Sequence, residues 1–194
     1  MLFRSLRYQL NPHFLFNTLN AISALVQVKE SAKANTMIVQ LSSFLRYSLD
    51  NDPIQMVSLR EEIDALKLYL YIEQTRFADR LRLEFNVAKN TENTKVPSLI
   101  LQPLVENAIK YAVAPSETGG KISVSATIED QFLMVEIVDT GPGIDASNDQ
   151  RTPVGIGLKN TEERLKEFYN EDYELCLGNC EAGGFWVRIK LPAD

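Results

Sequence analysis

The spacing of apolar residues changes once along this chain, and that change limits the fold more than any other feature. Up to about Phe77 apolar positions recur every three or four residues, whereas from Leu81 onward many of them alternate. A helix repeats every 3.6 residues and a strand every two, so the first part reads as helical and the second must contain a sheet. Leu15, Leu19, Ile22 and Val26 form one continuous stripe on a helix expected from about Leu2 to Val28, suited to packing against another helix. Met37, Leu41, Phe44 and Ser48, flanked by Ile38 and Leu45, form a second stripe from about Ala32 to Leu49, reached through a polar turn near Lys29 to Ser31. The two make a helical hairpin.

Asn51-Asp52-Pro53 ends that hairpin, because proline lacks an amide hydrogen and restricts the residue before it. Ser58 stands three residues before Glu61, a capping box that starts a further helix carrying Leu59, Ile63, Leu66, Leu70 and Phe77. A boundary near Phe77 to Arg80 divides the chain into a hairpin (1–56), a connecting helix (57–79) and a second domain (80–194). In that domain Leu81 to Val87 has strand periodicity, and Ser98 to about Ala112 reads as a helix started by Pro97. Ile122, Val124, Ala126 and Ile128 alternate, as do Leu133, Val135 and Ile137, with a turn at Glu129-Asp130-Gln131 between them. A helix from Leu158 to Tyr169 and strands near Tyr173 to Leu177 and Phe185 to Leu191 complete an α+β arrangement, an α/β sandwich with helices on one face of a mixed sheet.

Composition excludes several classes. With 45% apolar and 24% charged residues among 194, the chain is of globular type, and its net charge of −6 offers no clustered basic surface for nucleic acid. No apolar run approaches the roughly 18 residues that cross a bilayer, so no direct membrane contact is expected. Cys176 and Cys180 have no His or further Cys nearby, which leaves no zinc or redox motif and suggests reduced thiols.

Three short segments carry polar groups in an order that suits a nucleotide. Asp139-Thr-Gly-Pro-Gly-Ile144 lies at a strand end, where a carboxylate can accept from an exocyclic amine while Gly141 and Gly143 let the backbone approach a flat ring. Alone, the motif also fits an ordinary loop. Gly155-Ile156-Gly157-Leu158 directly precedes a helix, and free amides at a helix start with no side-chain obstruction form an anion site suited to a phosphate chain. Glu106-Asn107-Ala-Ile-Lys110-Tyr111 lies on the upstream helix, where Asn107 offers an amide oxygen to Mg²⁺ and Lys110, nearly one turn on, can reach phosphate oxygens. The order of these segments carries more than any one of them: an Asn helix, a hairpin of strands, Asp-x-Gly-x-Gly, a loop, then Gly-x-Gly into a helix.

That order resembles the nucleotide-binding fold shared by gyrase-type ATPases and histidine kinases. Gln9-Leu-Asn-Pro-His13-Phe-Leu-Phe-Asn17-Thr-Leu-Asn20 resembles the phosphoacceptor segment of LytS-type sensor histidine kinases, and Val57-Ser-Leu-Arg-Glu-Glu with Tyr69-Leu-Tyr-Ile-Glu-Gln-Thr-Arg-Phe resembles their connecting helix. The resemblance implies that Asp139 holds the adenine amine, Asn107 the Mg²⁺ and Lys110 the phosphates. It makes Gly155 and Gly157 a mobile lid, and it places Tyr111, Ile144, Ile156 and Leu158 in the same cofactor-binding motifs. The sequence departs from the family where Phe185 follows Gly183-Gly184 in place of the usual threonine.

His13 is the chain's only histidine. At 100° per residue it shares a side with Gln9, Asn17 and Asn20, away from the Leu15 stripe, so it should be reachable on a polar face. A neutral imidazole keeps one lone pair that can attack the γ-phosphorus of ATP. Asn17, one turn on, can orient the ring or a hydrolytic water. Pro12, read as lying inside the helix, should kink it, either aiming His13 or serving structure alone. Many other histidine kinases carry an acidic residue after the phosphoacceptor; Phe14 stands there here, and no general base is assigned.

The resemblance implies an ATP-dependent protein-histidine kinase that autophosphorylates on His13 and passes the phosphoryl group to an aspartate of a response-regulator receiver. It further implies a homodimer whose hairpins pair into a four-helix bundle, and a cytoplasmic portion of a membrane-anchored parent protein. A nucleotide-binding pseudokinase scaffold that signals by dimer rearrangement is the alternative. A gyrase-like ATPase or a serine kinase is a third reading, disfavoured by the segment around His13.

Overall fold

The computed structural model describes residues 11–52, 54–143 and 156–193. Helix α1 (Pro12–Gln27) and helix α2 (Ser31–Asp50) form the expected hairpin. Two features of α1 differ from expectation. Pro12 does not kink a helix but opens this one: Asn11 is extended and its side chain accepts from the amides of His13 and Phe14, so Asn-Pro is an N-cap followed by proline in the first turn. Proline is favoured there because its missing amide hydrogen would have no partner anyway. The part of the expected helix before Asn11 lies outside the described residues.

The buried face of α1 is also rotated from the predicted stripe. Phe14 and Thr18 are buried, whereas Leu19 is 54% and Val26 57% exposed, with Leu15 and Ile22 only packed at the core's edge. Phe14 sets this rotation, because its ring lies 5.5 Å from Phe44 of α2 and 4.8 Å from Tyr69, an aromatic trio that outweighs the smaller aliphatic residues. On α2 the predicted residues Met37, Leu41, Phe44 and Ser48 are buried.

Strand β1 (Met56–Ser58) leads directly into helix α3 (Leu59–Phe77) through the predicted capping box, with Ser58 Oγ accepting from the Glu61 amide and Glu61 accepting from the Ser58 amide at 2.8 Å. All five apolar residues predicted for this helix are buried. Strand β2 (Leu81–Val87) follows; strand β3 (Lys95–Pro97) then pairs antiparallel with β1.

The next helix, α4 (Gln102–Ala108), begins four residues later than Ser98 and continues as a π-helical turn over Ile109–Val113. The delay has a cause in α3. The buried Glu62 carboxylate accepts from the amides of Leu99 and Leu101 at 2.8 and 2.9 Å, which holds this stretch out of the helix, and Leu99 takes a positive φ of 57°. Such charge-assisted bonds offset the cost of burying the carboxylate.

Strands β4 (Gly120–Glu129) and β5 (Phe132–Asp139) form a hairpin whose two turn residues, Asp130 and Gln131, both have positive φ. Helix α5 (Ile156–Tyr169) and strands β6 (Glu174–Asn179) and β7 (Phe185–Pro192) complete the chain. The sheet runs β2-β4-β5-β7-β6, with β2 and β4 parallel and the other neighbours antiparallel. Ile122, Val124, Leu133, Val135, Ile137 and Ile189 line its buried face and join Leu158 and Leu165 of α5 in one core with α3 and α4. The fold is mixed α/β, with N-terminal helices and a mixed five-stranded sheet. Among the described residues no helix is long and apolar enough to cross a membrane, and Cys176 and Cys180 are free.

Candidate functional site

Asp139 closes β5 at the end of the sheet, beside the end of α4. It is only 6% exposed, and its Oδ1 accepts from the amides of Gly141 at 2.8 Å and Phe185 at 3.3 Å. Burial pushes its pKa up, and the two amides pull it partly back. Oδ1 is thereby fixed to the protein, which orients the second oxygen as an acceptor for something else. The glycines around it are required by contact. A Cβ on Gly141 would lie 2.6 Å from Ala112 Cβ, and one on Gly184, at φ 109°, would lie 2.1 Å from the Asp139 carbonyl oxygen. The late Gly183-Gly184 pair and the Asp139 loop are thus pressed together, and Phe185 contributes a backbone amide at the position where the family's threonine was expected. Gly143 also has a positive φ, 71°. Ile144, Gly155 and Gln9 lie outside the described residues.

Asn107 lies on α4, with its Nδ2 buried and without a hydrogen-bond partner. A Cβ on Gly157, in the first turn of α5, would be 3.8 Å from that nitrogen, so the Gly157 backbone faces the Asn107 amide. A buried amide left unpaired is uncommon, and its two ends exchange by a half-turn of the side chain. The site therefore presents either an oxygen or a nitrogen toward the start of α5, which fits a residue that meets a metal and phosphate. Lys110 is exposed, with Nζ 3.0 Å from the Tyr111 hydroxyl and 4.7 Å from the centre of its ring. Both belong to the π-helical turn, a widening often found at functional sites. Ile156 begins α5, and Leu158 is buried beneath its first turn.

His13 is exposed in the first turn of α1, and Asn17 Nδ2 lies 3.2 Å from both ring nitrogens, so the tautomer decides which one it engages. The structure thus brings Gly157 to Asn107, and Gly141 to Asp139 and to Ala112 of the π-helical turn, while His13 and Asn17 pair in the exposed first turns of α1.

Sequence reasoning missed a buried polar cluster behind α4. Burial raises the Glu73 pKa to about 7, Arg76 opposes the shift, and Glu106 adds to it. Arg76 Nη2 lies 2.5 Å from Glu73 Oε2, yet no hydrogen bond of acceptable direction reaches that oxygen, so the contact is one of charge. Glu106 accepts from Gln102 at 2.7 Å; burial pushes its pKa up, and the Gln102 and Asn11 side chains pull it partly back. A second cluster joins Glu62 to Arg164 of α5, whose guanidinium donates to the carbonyls of Ser98 and Leu99. The one sequence signal for Asn11 was the Asn-Pro pair itself.

Two family models cover nearly the whole chain: histidine kinase over residues 1–81, and histidine kinase-, DNA gyrase B- and HSP90-like ATPase over residues 93–194. The sensor histidine kinase BtsS of Escherichia coli (strain K12) is 35% identical over 96% of this chain and 32% of its own length. The sensor protein LytS of Enterococcus faecalis is 32% identical over 98% of this chain and 34% of its own length. The chain belongs to the LytS-type sensor histidine kinases. It spans about a third of the length of these curated relatives. Its fold is that of the histidine kinase domain from the Erythrobacter litoralis EL346 blue-light activated histidine kinase, at a TM-score of 0.55, 13% identity and coverage of 94% and 96% of the two chains. The second of these models is an ATPase-type domain, which implies ATP as its nucleotide.

Proposed function

We propose that the chain is the catalytic portion of a two-component sensor histidine kinase, which phosphorylates its own His13 from ATP and passes the group to an aspartate of a response-regulator receiver. The observation that carries this reading is the unpartnered Asn107 amide facing Gly157, taken together with an Asp139 carboxylate that has one oxygen already held by the backbone. Asp139 accepts from the adenine amine, Lys110 engages phosphate oxygens, and the Gly155 to Leu158 segment covers them. Asn107 would hold Mg²⁺, which supplies neutralisation of phosphate charge.

In the transfer, a ring nitrogen of His13 forms a bond to the γ-phosphorus while the bond to the β,γ-bridging oxygen breaks, ADP leaves, and the other ring nitrogen's proton is available for loss to water. Asn17 orients the imidazole. Segments 1–56, 57–79 and 80–194 serve as phosphotransfer hairpin, connecting helix and nucleotide-binding domain. The exposed Phe16, Leu19 and Val26 on α1 and Val39 and Leu49 on α2 support pairing of two hairpins into a four-helix homodimer. The portion would be cytoplasmic, in a membrane-anchored parent.

Nucleotide affinity tests the site. Asp139→Asn keeps an oxygen for the Gly141 and Phe185 amides but sets an N–H₂ against the adenine amine, so ATP binding should weaken tenfold or more, on the order of 1.4 kcal/mol. Unchanged affinity would remove Asp139 from the site.

A further inference from the structure

Helix α5 meets α4 at Gly157, and it is fastened to the core further along its length. A Cβ on Gly157 would lie 3.5 Å from Pro103 Cβ and 3.8 Å from Asn107 Nδ2, so the first turn of α5 rests its backbone on α4. About two turns on, and on the same side of the helix, half-buried Arg164 donates from Nη1 to the Leu99 carbonyl at 3.3 Å and from Nη2 to the Ser98 carbonyl. Ser98 and Leu99 belong to the non-helical stretch that leads into α4. The same stretch is gripped from α3 by Glu62, whose two carboxylate oxygens accept from the Leu99 and Leu101 amides at 2.8 and 2.9 Å. Glu62 thus takes its amides and Arg164 its carbonyls. The stretch is fixed to α3 and α5 is fixed to the stretch, which sets where Gly157 meets Asn107.

We infer that Arg164 is a positioning residue for nucleotide binding, acting through the Ser98 and Leu99 carbonyls that Glu62 holds in place to set the register of α5 on α4. The inference rests on the ATP-site reading above, in which the Gly155 to Leu158 segment covers the phosphates. A guanidinium is a rigid planar fork that can reach two neighbouring carbonyls at once, whereas an ammonium is a single donor centre on a flexible stem. Losing one of the two bonds frees α5 to slide along α4 and carries the phosphate cover with it. Asp139 is held instead by the Gly141 and Phe185 amides at the end of β5, so the purine contact does not depend on that register. Arg164 therefore matters for the phosphates and not for the base.

NMR titration of the whole chain measures its affinity for ATP with Mg²⁺ and for adenosine, which keeps the purine and lacks the phosphates, and the same spectra report whether each variant is folded. Arg164→Lys keeps the charge but offers one donor centre to two carbonyls. Glu62→Gln keeps one acceptor oxygen but sets an N–H₂ against the Leu99 or the Leu101 amide, which loosens the stretch that Arg164 grips. Each should weaken ATP binding by about tenfold, with adenosine affinity within about twofold of the unsubstituted chain. The second variant keeps the test decisive if the first does not fold. A merely structural role for the pair lowers both affinities together or neither. Unchanged ATP affinity in the folded variants, or equal losses for ATP and adenosine, would overturn the inference while leaving the ATP-site reading intact. An unsubstituted chain that binds neither ligand would overturn the ATP-site reading itself, and this inference with it.

Discussion

Glu73 should make the stability of this protein fall as pH rises through neutrality, and Glu73→Gln should remove that fall. Its side chain is 2% exposed, and its pKa rises from the ordinary glutamate value of 4.5 to about 7, chiefly because burial penalises the charged form. The folded protein thus holds the Glu73 proton more tightly than the unfolded chain does. Its contribution is fully present below 4.5 and is lost as pH climbs toward 7. The gap between 4.5 and about 7, at about 1.4 kcal/mol per pH unit, amounts to about 3 kcal/mol, of which roughly 2.5 kcal/mol falls between pH 5 and pH 8. A glutamine cannot ionise, so the variant should gain about that much relative to the unsubstituted protein between those two pH values. Part of the gain is offset at pH 8 by loss of the Arg76 contact, although the Arg76 guanidinium keeps its stacking on the Phe77 ring at 4.3 Å. Urea unfolding of both proteins at pH 5 and pH 8 measures the difference, since titrating groups that do not interact with Glu73 cancel and only Glu106 and Arg76 beside it add to the change. A stability difference that is the same at both pH values would refute the assignment of a raised Glu73 pKa.

Two further outcomes follow from packing. Phe14→Ala should destabilise the protein by about 3–5 kcal/mol in the same unfolding assay, because it opens a cavity between Phe44 and Tyr69; a loss under about 1 kcal/mol would mean that the hairpin is not seated on α3 through this ring. Gly184→Ala should weaken ATP binding measured by calorimetry, because its Cβ would collide with the Asp139 carbonyl oxygen and displace that loop; full affinity would show that the Gly184 contact is not needed to shape the site.

What could be read from the sequence was whatever depends on local periodicity and local caps. The buried faces of α2 and α3, the Ser58 capping box and the alternation in β4 and β5 required only neighbouring residues. Gly141 and Gly143 stand where a Cβ would press on Ala112 or on Asn179, which is a local constraint that a glycine in the sequence can show. The rotation of α1 was not legible, because it depends on Phe14 meeting Phe44 and Tyr69, residues 30 and 55 positions away. The late start of α4 depends on a Glu62 carboxylate 37 positions upstream of Leu99. Strands β1 and β3, three residues each, are too short to show alternation. The apolar pattern extends to the residues before Pro12 and so suggests a helix that the proline interrupts, whereas the Asn11 cap places the helix start there. The Glu73, Arg76 and Glu106 cluster looks from sequence like a solvated helix face, because the burial of Glu73 comes from tertiary packing that a local pattern does not show.

Incubation of the purified chain with γ-labelled ATP and Mg²⁺, followed by acid and alkali treatment, tests the central claim most directly. A phosphohistidine should survive alkali and be lost in acid, and the label should disappear in His13→Gln and in Asn107→Ala. Label that survives acid, or that persists in His13→Gln, would contradict the account, and ATP binding without any label would favour a nucleotide-binding scaffold.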